Sequence, residues 1–167
     1  AQLLLLGLQC GATLCDVMGD LYHPEPHELT FTADAVEKQK ALIHKIHELG
    51  GEVLISSHLH AFFHENEILR YAAAQIERGA DIVKIVSFAQ NEEQMIADFN
   101  IIHRLKKELK KPFLFLANGA YSQLIRQLGP VFGVCMYLCV QQYRPYNYKE
   151  QPQLRAMKTL RDSTLFS

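Results

Sequence analysis

The chain has 167 residues, a formal net charge of −1 and four cysteines. That length suits one domain with a sizeable core. The near-neutral charge offers no basic field for nucleic acid, and no apolar run approaches the length a membrane crossing needs.

Residues 1–11 (AQLLLLGLQCG) read as the end of a helix stopped by Gly11. Leu3 to Leu6 is too short to span a bilayer, and no basic region precedes it as in a signal peptide. The chain starts with Ala rather than Met, and the expectation is a processed chain or a segment of a longer one. Thr13 to Met18 is an apolar strand carrying Asp16, and Gly19 to Thr32 is a loop rich in Pro, His and Glu. Thr32 is placed to cap a helix from Ala33 to Leu49, which stops at Gly50-Gly51. The pattern then repeats: strand 52–57, helix 65–78 with a stop at Gly79, strand 81–86, and a helix from about Asn91 to about Lys110. Strand 113–117 leads through a loop to a short helix, Ser122 to Gln127. Strand 131–138 (VFGVCMYL) and a final helix, Gln153 to Ser163, complete the series.

Five strands alternate with helices and read as parallel, with apolar character on both faces, so this is an α/β domain. Two architectures suit it. An open doubly wound sheet is complete with five strands, whereas a (β/α)8 barrel needs eight. Strand count favours the open sheet. His58, Ser87, Asn118 and the 139–151 segment all follow strand C-termini, where both architectures keep their sites. No Gly-rich phosphate turn follows any strand, so no nucleotide cofactor is expected. Arg104, Lys106, Lys107, Lys110 and Lys111 form the one basic cluster, read as a solvated helix face and its exit. Cys10, Cys15, Cys135 and Cys139 show no zinc spacing and fall in apolar stretches, as reduced thiols of a cytoplasmic protein do.

Lys84 is the first candidate for chemistry. It lies in Asp81-Ile82-Val83-Lys84-Ile85-Val86, a run that reads as a buried strand. A strand-end lysine often only snorkels to solvent. An amine held in apolar surroundings is pushed instead towards its neutral, nucleophilic form. His58 ends the preceding strand after Ser56 and Ser57, and an imidazole there is able to move protons for Lys84. Arg126 follows the strand 113–117 and is either a surface helix residue or a bidentate grip for a carboxylate. His58-Leu59-His60 with a strand lysine also fits a metal centre of the amidohydrolase type, but that needs a later histidine and aspartate at strand ends. His103 lies inside a helix and strand 131–138 ends in Leu138-Cys139, so no metal is expected. His23, His27, His44 and His47 read as solvent-facing loop and helix residues.

These residues carry a resemblance. Ser56-Ser57-His58, Asp81 to Ile85, Gly119 to Arg126 with Gly129 to Gly133, and Gln151 resemble, in that order, motifs of the type I 3-dehydroquinate dehydratases. The resemblance runs from the first helix to the last. It implies a (β/α)8 TIM barrel rather than an open sheet. The chain, one domain over residues 1–167, would be its C-terminal part and cover about five or six of the eight β/α units. It further implies a cytoplasmic lyase of the shikimate or quinate route, dehydrating 3-dehydroquinate to 3-dehydroshikimate through a lysine imine. Lys84 and His58 take the catalytic roles. Arg126, Gln151, Asn118, Asp16 and Ser56 take substrate-binding roles. Gln151, on the segment 141–152, would help close the lid. No cofactor or metal is implied. The expected partner is a small keto acid, with a homodimer as the expected self-association.

The chain departs from the family pattern at several points. Met18 stands where the family usually has glutamate, Asn118 replaces a methionine, Ile125 replaces a serine, and Tyr148-Lys149-Glu150-Gln151 replaces Ala-Pro-Gly-Gln. Those changes keep two alternatives open. One is another imine-forming lyase or aldolase, and the other is a non-catalytic dehydroquinase-like domain that senses ligand.

Overall fold

The alternation of apolar runs and helix stops becomes a layered α/β fold in the computed structural model, which describes residues 1–146 and 150–164. The elements are α1 (Gln2–Gln9), β1 (Leu14–Met18), α2 (Ala33–Glu48), β2 (Glu52–His58), α3 (Glu65–Glu77), β3 (Ile82–Phe88), α4 (Glu92–Glu108), β4 (Phe113–Asn118), α5 (Ser122–Phe132) and α6 (Leu154–Thr164). The helix ends have local causes. Gly50 after α2 and Gly79 after α3 adopt φ of +78° and +104°, a conformation that costs glycine little and ends a helix. The Asn91 side chain accepts the Gln94 N–H at 2.9 Å and so caps α4. Thr32 precedes α2 as expected but makes no side-chain capping bond.

The sheet runs β1-β2-β3-β4 and every pairing is parallel. Strand alternation sends Val83, Ile85, Phe113 and Phe115 to a buried cluster with Ile68, Tyr71 and Ala72 of α3 and Ile101, Ile102 and Leu105 of α4. A second cluster joins Cys15, Val17, Val53 and Ile55 to Leu42, Ile43 and Ile46 of α2. Full burial of each such aliphatic side chain contributes about 1.5–3 kcal/mol. The register sets Met18, Ser56, Lys84 and Leu114 side by side in one row across the other face. His58, Val86 and Leu116 form the next row towards the strand C-termini. At β1 this second face is open: Leu14 is 38% and Met18 42% exposed.

The expected fifth strand, 131–138, is not formed. Helix α5 runs past Gln127 to Phe132 and is ended by Gly133 at φ +120°. From there a single ladder-like bond, Cys135 N–H to the Phe113 carbonyl at 2.9 Å, ties the chain to β4. A short apolar run does not by its pattern separate strand from buried helix end. Four strands, not five or six, stand among the described residues. No helix among them is long and apolar enough to cross a membrane.

Candidate active site

The apolar neighbours of Lys84 in sequence do not surround its amine. Val83 and Ile85 point to the helix side, and Lys84 points to the opposite face of the sheet. What it meets there is polar. Lys84 Nζ lies 2.8 Å from Asp16 Oδ2, and Ser56 Oγ donates to Asp16 Oδ1 at 2.5 Å. The lysine side chain is 11% exposed and the aspartate 49%. The amine of this interior strand is therefore ion-paired with Asp16 of the edge strand β1, not enclosed by apolar side chains alone as its sequence context implied. A cation drawn this far from water needs such a partner. Asp16 thus engages the lysine, and Ser56 engages Asp16.

His58 ends β2 one row further on. Its ring Nδ1 bonds Glu28 Oε2, and its backbone N–H donates to the same oxygen at 3.2 Å. His58 and Lys84 open on one cavity of about 310 Å³. Val86, Leu116 and Leu138 give it apolar wall, and Asn118, Arg126, Glu150 and Gln151 complete the lining. Of the lid residues read from sequence, Tyr148 and Lys149 lie outside the described residues.

Arg126 projects from α5 and is 7% exposed. Its Nε donates to the Ala117 carbonyl at 2.7 Å and one terminal nitrogen to Asn118 Oδ1 at 2.6 Å. Asn118 therefore holds the arginine. Burial pushes the guanidinium below its ordinary pKa, and the negative charge of Glu150 works against that push. Among the described residues no carboxylate forms a salt bridge with Arg126. The guanidinium is thus buried and held in one orientation, and it faces the cavity that Glu150 also lines.

A family model described as Type I 3-dehydroquinase matches residues 3–162. The chain belongs to that family. It is 33% identical over 108 residues to a 3-dehydroquinate dehydratase of Alkaliphilus oremlandii (strain OhILAs), a match taking in 64% of this chain and 41% of that relative. A 3-dehydroquinate dehydratase of Aromatoleum aromaticum (strain DSM 19018 / LMG 30748 / EbN1) is 31% identical over 77 residues, 46% of this chain and 30% of its own. The chain thus spans less than half the length of these two relatives. In fold it is similar to the type I 3-dehydroquinate dehydratase from Clostridium difficile crystallised with covalently modified comenic acid, with TM-score 0.79, 17% identity, and coverage of 97% of this chain and 59% of that one. The parallel sheet is accordingly part of a (β/α)8 barrel. The exposed inner face of β1 follows from this, because closure of such a barrel covers that face with further strands.

Two residues of this dehydroquinase-family site escape a reading of the sequence. Gln75 of α3 is fully buried. Its Oε1 accepts the Lys84 N–H, and its Nε2 donates to the Lys84 carbonyl and to Ser57 Oγ, each at 3.1 Å. Its signal was present: it continues the apolar stripe Ile68, Tyr71, Ala72 at helical spacing, where a polar side chain needs buried partners. Glu28 has no such signal, since it sits in a loop of mixed polar residues and reaches His58 only through the tertiary fold. Among the described residues no group of three or more His, Cys, Asp and Glu converges as metal ligands would.

Proposed function

We propose that this chain carries the imine-forming site of a 3-dehydroquinate dehydratase, a hydro-lyase of the shikimate or quinate route. The observation behind the reading is that Lys84, His58 and Arg126, drawn from β3, β2 and α5, open on a single cavity of about 310 Å³. Lys84 Nζ gives up a proton and attacks the C3 carbonyl carbon of the substrate. The C3 oxygen leaves as water and a protonated imine forms. His58 Nε2 takes a proton from C2, and the electron pair of that C–H bond moves into the C2–C3 bond as the imine becomes an enamine. The enamine expels the C1 hydroxyl, which receives the proton from His58 and departs as water. Water then adds to C3, releases 3-dehydroshikimate and restores Lys84. Arg126 grips the substrate carboxylate and so fixes the ring, while Gln151 contributes to closing the cavity. Asp16, already 2.8 Å from Nζ, stabilises the nitrogen whenever it is cationic.

Borohydride added with 3-dehydroquinate tests this in the intact protein. The expected product is a reduced adduct on the peptide that carries Lys84. His58→Ala is expected to keep the adduct and lose turnover by about 10²- to 10⁴-fold. An adduct on another lysine, or none, would refute the assignment. Adduct formation without measurable turnover in the unaltered protein would instead favour a ligand-sensing domain.

A further inference from the structure

The loop between β1 and α2 packs on α3 and leaves a groove of about 370 Å³ that shares no residue with the cavity of Lys84, His58 and Arg126. Glu25, His27, Leu29 and Phe31 line it from the loop, and Arg70 and Tyr71 line it from α3. Tyr71 is only 5% exposed, yet its hydroxyl has no hydrogen-bond partner among the described residues. Buried tyrosine hydroxyls find a partner as a rule, so this one needs a partner from outside the chain. Burial pushes the hydroxyl above its ordinary pKa, and the charges acting on it belong to Arg70, Glu67 and Glu25. Two of those three line the groove, so the hydroxyl end of the ring faces it.

The other groups of the groove are preset. Arg70 stands over the Phe31 ring at 5.3 Å and enters no salt bridge among the described residues. Arg78 holds the same ring at 5.7 Å and is itself fixed, donating to the Gly19 carbonyl at 2.7 Å and to Gln39 Oε1 at 2.9 Å. His27 Nδ1 accepts the His60 N–H at 3.3 Å, so the neutral ring carries its proton on Nε2 and has that donor to spare. Phe63 meets both the His27 and the Tyr71 rings edge-on and fixes the wall between them. Glu25 is the one carboxylate of the lining, and its contact with His23 at 3.2 Å is open to solvent.

We propose that this groove binds a small zwitterion, an α-amino acid with an apolar aromatic side chain. Its carboxylate meets the Arg70 fork and the Tyr71 hydroxyl, its ammonium meets Glu25, and its side chain lies against Phe31 and Leu29. A plain anion of the same size would be repelled by Glu25 and a plain cation by Arg70, whereas a zwitterion satisfies both. The volume is at the small end of ligand sites and suits such a molecule. The site is non-covalent and stands apart from Lys84, so it holds whether or not the imine reading does.

Isothermal titration of the intact protein with L-phenylalanine tests the proposal, and saturable binding at one site is expected. Arg70→Ala is expected to weaken it by about 10- to 100-fold and Tyr71→Phe by about 3- to 10-fold. Phenylpropanoate, which lacks the amine, and L-phenylalaninamide, which lacks the carboxylate, are each expected to bind about tenfold or more weakly than L-phenylalanine. Glu25→Gln is expected to narrow the gap between L-phenylalanine and phenylpropanoate. Arg126→Lys is expected to leave the affinity unchanged, because Arg126 lines the other cavity. Should Tyr71→Phe fail to fold, Arg70→Ala carries the test, since that side chain is exposed. Absence of saturable binding, or binding that Arg70→Ala leaves intact, would overturn the proposal. So would an affinity lost in Arg126→Lys, which would put the ligand beside Lys84. Equal affinity for L-phenylalanine and phenylpropanoate would refute the zwitterion and with it the role of Glu25.

Discussion

Asp98 of α4 is fully buried, one carboxylate oxygen accepts from Ser87 Oγ at 3.0 Å, and the other has no partner among the described residues. Burial pushes its pKa from 3.8 up to about 7, and the Ser87 hydroxyl only partly opposes the push. Each tenfold change in proton affinity corresponds to about 1.36 kcal/mol, so ionising Asp98 inside the fold costs about 4 kcal/mol more than ionising it in the unfolded chain. The sign follows from proton counting. Between about pH 4 and pH 7 the folded state holds a proton that the unfolded state has lost, so stability from this group falls as pH rises. Above pH 7 both states are ionised and the dependence flattens. Raising the pH from 5 to 8 therefore removes about 2–3 kcal/mol. Asp98→Asn eliminates that dependence. The new amide leaves a buried donor in place of the unpartnered oxygen, at a cost of about 1–3 kcal/mol. The variant is thus expected to be about 1–3 kcal/mol more stable than the parent at pH 8 and equal or less stable at pH 5. Urea denaturation at the two pH values measures both. Parallel pH dependence in the two proteins would refute the assignment of a buried, titrating Asp98.

Two further expectations concern the cavity. Arg126→Lys removes the fork that bonds the Ala117 carbonyl and Asn118 Oδ1, and is expected to raise KM for 3-dehydroquinate by about 10- to 100-fold with a smaller effect on kcat. Steady-state kinetics decide it, and an unchanged KM would remove Arg126 from carboxylate binding. Glu150→Gln withdraws the negative charge that acts on Arg126 and shares its cavity, so KM is expected to fall by about three- to tenfold. A KM that stays constant or rises would mean that Glu150 does not compete with the substrate carboxylate.

Much of this architecture was open to reading because local chemistry sets it. Asn91 caps α4 through its own side chain, and Gly50 and Gly79 end helices by a conformation other residues avoid. The β-branched run around Lys84 reads as strand whatever surrounds it. The resemblance also brought Lys84, His58, Arg126, Asn118 and Gln151 to one place, and all five line the same cavity. The segment 131–138 misled because its apolar residues serve equally at the end of α5 and in the stretch beyond Gly133.

Alternation along a strand decides which residues share a face, and the register of β2 with β3 then puts Lys84 and His58 on the same one. Alternation does not decide what waits on that face. Asp16, 68 residues from Lys84, and Glu28, 30 residues from His58, become partners only when parallel register and the β1–α2 loop bring them in. The apolar letters beside Lys84 point away from its amine, and its charge is met by a residue those letters do not mention. Covalent neighbours set secondary structure through local sterics, but electrostatic surroundings belong to whatever the folded chain sets within a few ångströms.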